Sequence, residues 1–127
     1  MNKGVICTSD APKAIGTYSQ GIRFGDLVFT SGQIPINPNT SELISGDFKA
    51  EIHQVLKNLD GVLKGGGSSL QCTVKLTLFL TDLSYFAQVN EVFDAFFPED
   101  PPARSAVQVT ALPMGARIEI EAVGYVE

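Results

Sequence analysis

Two short alternating segments near the C-terminus carry the residues best suited to chemistry. Pro102-Ala103-Arg104-Ser105-Ala106-Val107 sets one arginine among small residues, and Ile118-Glu119-Ile120-Glu121-Ala122 returns two carboxylates. A guanidinium grips a carboxylate through two parallel charge-assisted hydrogen bonds, so it orients a small anion as well as holding it. A carboxylate on a nearby returning strand could then move a proton to or from water. Together they suit a small carboxylate that must exchange protons. The plainer alternative, two surface strands with solvated charges, fits the spacing equally well.

The elements that must position these groups follow from periodicity. Ser105, Val107 and Val109 share one face, and Arg104, Ala106, Gln108 and Thr110 the other. Past the Leu112-Pro113-Met114-Gly115 turn, Ala116, Ile118, Ile120 and Ala122 alternate with Arg117, Glu119, Glu121 and Val123. Upstream, Val5 to Thr8 is a strand candidate and Ala14 to Ser19 an ordered loop. Ile22-Arg23-Phe24 and Leu27-Val28-Phe29-Thr30 flank Gly25-Asp26 as a hairpin. Asp47 is a predicted N-cap for a helix whose apolar stripe includes Phe48, Ile52, Val55, Leu59 and Leu63, stopped at Gly65-Gly66-Gly67. Leu70 through Thr81 reads as one long strand with an aliphatic face bearing Leu70, Cys72, Val74, Leu76, Leu78 and Leu80. Its other face, mostly polar and carrying Thr and Phe79 rather than several charges, suits packing against another sheet at a subunit interface. Asp82 is expected to cap a second helix with Phe86, Val89, Phe93, Phe96 and Phe97 toward the core. This order asks for two helices on one face of a mixed sheet.

Composition narrows the function classes. The chain has 127 residues, 44% of them hydrophobic and 18% charged, which predicts one domain spanning 1–127 with a sizeable core and sparse surface charge. A net charge of −5 with no Lys/Arg cluster lacks a nucleic-acid footprint. Two cysteines, Cys7 and Cys72, and one histidine without ligand spacing argue against a disulfide framework and a metal site. No apolar run reaches membrane-spanning length, and Met1-Asn2-Lys3-Gly4 lacks a signal-peptide core, so a cytoplasmic protein without a transit peptide is expected.

The two chemical segments do not stand alone. Ala14-Ile15-Gly16-Thr17-Tyr18-Ser19-Gln20-Gly21, Thr30-Ser31-Gly32-Gln33-Ile34-Pro35 and the stretch from Asp82 to Asn90 join them in one order. In that order the five segments resemble the reactive intermediate deaminase family, the YjgF-type enamine/imine deaminases. The resemblance covers nearly the whole chain. It implies a chorismate-mutase-like α+β fold, a mixed sheet with two helices on one face. It also implies a homotrimer whose sheets form a central barrel, with a cleft at each subunit interface.

Carried onto this sequence, the resemblance assigns roles residue by residue. Arg104 holds the substrate carboxylate; its alternative is an interface salt bridge. Glu119 matches the carboxylate that positions or activates water, with Glu121 on the same face as its rival. Tyr18 lines the pocket, although a loop anchor would look alike. Ser31 and Gly32 bring backbone close to the ligand, although a simple bulge has the same signature. Asn90 matches a position near the cleft, where capping or surface hydrogen bonding would serve as well. Ala106 replaces the cysteine that many members carry beside the substrate. A thiol nucleophile is thereby removed, and water-driven hydrolysis is expected to survive.

The implied activity is 2-iminobutanoate/2-iminopropanoate deaminase, a cofactor-free hydrolysis of enamine/imine intermediates to 2-oxo acids and ammonium that spares pyridoxal-phosphate enzymes. One alternative is a non-catalytic module of the same fold that binds small carboxylates such as 2-oxo acids. The other is an RNA-cleaving or translation-inhibiting activity, against which the acidic charge balance argues.

Overall fold

The structure is a computed structural model that describes residues 2–127. One six-stranded sheet forms the body. Its strands are β1 (Gly4–Ile6), β2 (Gly21–Phe24), β3 (Leu27–Thr30), β6 (Thr73–Leu80), β7 (Ala103–Gln108) and β8 (Ile118–Tyr125). A separate two-stranded hairpin, β4 (Ile36–Asn37) with β5 (Glu42–Leu43), sits in the loop after β3. In the large sheet the order is β1-β2-β3-β8-β6-β7, and only β6 and β7 run parallel. Helix α1 (Phe48–Gly65) and helix α2 (Phe86–Phe96) supply the cover, and α2 lies in the crossover that a parallel pair requires. The expected α+β arrangement is therefore present.

The core lies between α1 and one sheet face. Val28, Leu76, Leu78, Leu80, Ile118 and Ile120 on the strands, and Ile52, Val55, Leu56, Leu59, Val62 and Leu63 on α1, are wholly buried. Asp47 caps α1 by accepting a 3.1 Å hydrogen bond from the Lys49 amide. At the other end Gly67 turns left-handed (φ 89°) while Ser68 N–H bonds Leu63 O at 2.9 Å, closing a Schellman motif. No helix is long and apolar enough to cross a membrane, among the described residues.

Three elements depart from periodicity because side chains capture backbone groups first. Leu70–Cys72 is a 3₁₀ turn rather than strand: Asp60 Oδ1 accepts from Leu70 N–H at 2.8 Å, and Thr73 Oγ1 donates to Leu70 O at 2.7 Å. The strand starts only at Thr73, a register shift follows, and Val74 is 43% exposed instead of joining the aliphatic face. The first strand stops at Ile6, short of Thr8, because the buried Gln20 amide takes Thr8 N–H and the carbonyls of Thr8, Ala11 and Pro12. Asp82 caps a single 3₁₀ turn, Leu83–Tyr85, and α2 begins just beyond it.

Helix α1 also buries a polar strip that its apolar stripe does not announce. Gln54 Nε2 donates to Asn58 Oδ1 at 2.9 Å, and Asn58 Nδ2 donates to Ile36 O at 2.9 Å. These bonds fix the loop entering β4 against the helix. Glu51, 2% exposed, pairs with Arg117, whose guanidinium also donates to Gly46 O at 3.0 Å and stacks 5.1 Å from the Phe48 ring centroid. Arg117 is thus drawn to the helix layer, away from Glu119 and Glu121, which alternation had placed beside it.

Candidate active site

Four predicted site residues meet in one cleft. Tyr18 comes from the loop before β2, Ser31 and Gly32 from the end of β3, and Glu119 from β8. The cleft encloses about 590 Å³ and is also lined by Ile15, Ile34, Ile36, Pro113 and Met114. Ser31 works structurally: its Oγ donates to Ser19 O at 2.6 Å and its amide to Gln20 O at 2.8 Å, tying the Tyr18 loop to β3. Within that loop, Ile15 N–H donates to Tyr18 Oη at 3.2 Å, which leaves the ring half exposed at the mouth of the cleft.

Gly32 is present because Glu119 lies on it. A Cβ built on Gly32 stands 2.8 Å from Glu119 Cδ and closer still to a carboxylate oxygen. The carboxylate is therefore supported from below by bare backbone. Among the described residues Glu119 has no salt-bridge partner. Burial raises its pKa above the ordinary carboxylate range, and the charge of Glu121 raises it further. Glu121 itself is exposed and outside the cleft lining, which separates the two rivals.

Arg104 lies elsewhere. Strand β6 stands between β7 and β8, and Arg104 registers with the buried Leu76 while Glu119 registers with Phe79. Successive side chains point to opposite faces. The arginine is on the helix-covered side and the carboxylate on the open side, so one chain does not bring them together. Arg104 instead borders a smaller cleft with Asn90, Phe93 and Pro102. Its guanidinium donates to Asn90 Oδ1 at 2.9 Å and rests 5.5 Å from the Phe93 and 5.9 Å from the Phe86 ring centroid. Asn90 is thus a positioning residue for the arginine, neither a cap nor a free surface amide. Ala106 packs against the core two residues along the same face and lines neither cleft.

Sequence reading missed the apolar wall of Ile15, Ile34, Ile36 and Met114, whose members belong to no alternating or helical stripe. It also read Phe86 and Phe93 as core alone, although both rings support the guanidinium. Among the described residues no group of three or more His, Cys, Asp or Glu side chains is arranged to hold a metal ion.

Comparisons with known proteins agree with this fold. Residues 8–126 match the family model described as Endoribonuclease L-PSP. A RutC family protein of Pyrococcus abyssi is 47% identical over 127 residues, covering 100% of both chains. The 2-iminobutanoate/2-iminopropanoate deaminase of Rattus norvegicus is 45% identical over 119 residues, covering 94% of this chain and 87% of its own. The crystal structure of the YjgF gene product from E. coli superposes with a TM-score of 0.92 at 42% identity, covering 98% of this chain and 99% of that one. With matches of this length and depth, the chain belongs to the reactive intermediate deaminase (RidA/YjgF) family.

Proposed function

We propose that the chain, acting as one domain over 1–127, is a cytoplasmic 2-iminobutanoate/2-iminopropanoate deaminase that works as a homotrimer. The observation that carries this reading is the Glu119 carboxyl, raised in pKa and laid over Gly32 in an apolar-walled cleft. Such a group, a stronger base than a solvated carboxylate, is placed to take a proton from water. Water oxygen bonds to the imine carbon as Glu119 accepts its proton. The protonated Glu119 returns that proton to nitrogen, giving a carbinolamine. The carboxylate then relays the carbinolamine hydroxyl proton to the amino nitrogen as the C–N bond breaks, and 2-oxo acid and ammonia leave, the ammonia becoming ammonium in water. General acid–base help of this kind contributes about 10²–10⁴-fold, which suits a reaction that water already performs slowly.

The substrate carboxylate needs Arg104, and the opposite faces of Arg104 and Glu119 mean that it must come from a neighbouring copy. The open sheet face supports such an assembly. Phe24, Leu27, Phe29, Val107 and Tyr125 are each 41–48% exposed, an apolar surface of the sort that marks protein contact. A central barrel of three sheets would cover it, with a cleft at each interface.

A coupled assay tests the reading. Threonine dehydratase generates the imine, semicarbazide traps it, and absorbance follows the derivative. Wild type should suppress the derivative, while Arg104→Lys, which keeps the charge and loses the fork, should cut turnover about 10- to 100-fold with the assembly intact. Unchanged turnover in that variant removes the clamp. A wild type that binds 2-oxo acids without turnover supports the second reading, a small-carboxylate binding module.

A further inference from the structure

Residues 7–20, between β1 and β2, form neither helix nor strand, yet they carry Ile15 and Tyr18 to the Glu119 cleft. Such a segment has no ladder of backbone bonds, so a few contacts decide whether it stays in place. Tyr18 N–H bonds Gly16 O at 3.1 Å, and Ile15 N–H bonds Tyr18 Oη at 3.2 Å. Both bonds lie inside the loop and tie it to nothing else.

Beyond the buried Ala11 methyl, the start of the loop is held by the side chain of Gln20. Its Oε1 accepts from Thr8 N–H at 2.7 Å. Its Nε2 donates to the carbonyls of Thr8 at 3.0 Å, Ala11 at 3.3 Å and Pro12 at 2.8 Å. One amide thereby joins the loop's beginning to its end. That end is fixed to β3 in turn, because Gln20 O accepts from Ser31 N–H at 2.8 Å. Gln20 is 4% exposed in a single chain, and packing against further copies can only bury it more. An amide side chain has two N–H groups. Shared among three carbonyls, neither is left for a substrate, although the residue borders the cleft.

We infer, on the deaminase reading of this cleft, that Gln20 is a positioning residue for imine hydrolysis. Its buried amide holds the 7–20 loop in the conformation that sets Tyr18 at the cleft. Tyr18 Oη accepts from Ile15 N–H and so keeps its own phenolic proton for donation to a bound molecule. Without the amide, Thr8 N–H and three carbonyls lose their partner, and the closed loop loses its advantage over open forms. The competent form then becomes a fraction of the population, and apparent substrate affinity falls by that fraction. Molecules that do bind react normally, so KM rises while kcat holds. A residue needed only for folding does the opposite: fewer active molecules lower kcat and leave KM unchanged.

The test measures KM and kcat separately in the semicarbazide assay, with full-length protein well below its melting temperature. The amount of threonine dehydratase sets the steady imine level. Gln20→Met keeps the side-chain length and removes every bond; it should raise KM about tenfold or more, with kcat within about twofold of wild type. Gln20→Asn, whose amide falls one methylene short, should raise KM by less and carries the test if the methionine variant does not fold. In a Tyr18→Ala background either substitution should move KM by no more than about twofold, since the group it positions is gone. Hydrogen exchange read by mass spectrometry needs no turnover. A peptide spanning residues 8–20 should exchange about tenfold faster in either variant, with α1 unchanged. A fall in kcat at constant KM, an equal rise in KM in both backgrounds, or unchanged exchange over 8–20 overturns the positioning role alone. If wild type hydrolyses no imine, the deaminase reading falls, and the role of Gln20 in it falls too.

Discussion

Gly32→Ala is the sharpest probe of the carboxylate's seat. The glycine does not have a positive φ, so alanine suits the backbone and the added methyl alone acts. That methyl would stand 2.8 Å from Glu119 Cδ, where ordinary contact needs at least 3.4 Å. The carboxyl carbon must therefore withdraw by at least about 0.6 Å, and the nearer oxygen by more. Misplacing a reacting group by roughly 1 Å costs about 10²-fold in rate, or about 2.7 kcal/mol of barrier. The semicarbazide assay should show this loss in kcat/KM, with the melting temperature little changed. In a Glu119→Gln background the same alanine should cost almost nothing, since the group it displaces has already lost its function. Full activity in Gly32→Ala, or an equal loss in both backgrounds, would refute the argument.

Two further perturbations test the electrostatics. Burial raises the Glu119 pKa first and the Glu121 charge second, so Glu121→Gln should lower it and move the acid limb of the pH–rate profile to lower pH. A raised carboxyl pKa favours the folded state only while the group is protonated, so that contribution is lost as pH rises through the folded value. Glu119→Gln should therefore gain thermal stability over wild type as pH rises from about 4.5 toward neutrality; a constant difference counts against the shift. Arg117→Leu strands Glu51, whose side chain is 3% exposed, and should cost about 3 kcal/mol, or roughly 10 °C in melting temperature. Glu51→Leu added to it should recover most of that loss, and failure to do so would mean the pair is not the cause.

Much of this arrangement was readable in the chain, for reasons that also explain what was not. Ile118, Ile120 and Ala122 alternate without interruption, so period-two reading assigned their faces correctly. The α1 stripe and its Asp47 cap are equally local signals. Leu70 and Cys72 continue the alternation in sequence, yet Asp60, ten residues upstream, takes the Leu70 amide and turns the backbone. Gln20 does the same to Thr8. A competing side chain brought in by the fold leaves no mark on periodicity. Arg117 belongs to the same class, because its partner Glu51 lies 66 residues away. Arg104 and Glu119 were correctly assigned to alternating segments, but only the interposed β6 and the register show that their faces are opposite.

That opposition makes a prediction of its own about assembly. Side chains on a strand repeat every two residues, so a one-residue slip of β7 would carry Arg104 to the open face. The Asn90 bond and the two phenylalanine rings hold it on the other. If each site takes Glu119 from one chain and Arg104 from its neighbour, neither Arg104→Ala nor Glu119→Gln protein should turn over imine alone. Unfolded together in equal amounts and refolded, they should regain activity. A site is whole when an Arg104→Ala chain, which keeps Glu119, meets a Glu119→Gln chain, which keeps Arg104, in the correct order around the ring. Random assembly into a closed cyclic trimer gives that pairing at about one quarter of the interfaces. Recovery of about a quarter of wild-type turnover, scaling with the product of the two fractions when the mixing ratio is varied, would locate the site between chains. No recovery from mixtures shown by mass to contain both chains would require both residues to act from one chain. The register of β6 against β7 and β8 would then have to change on substrate binding.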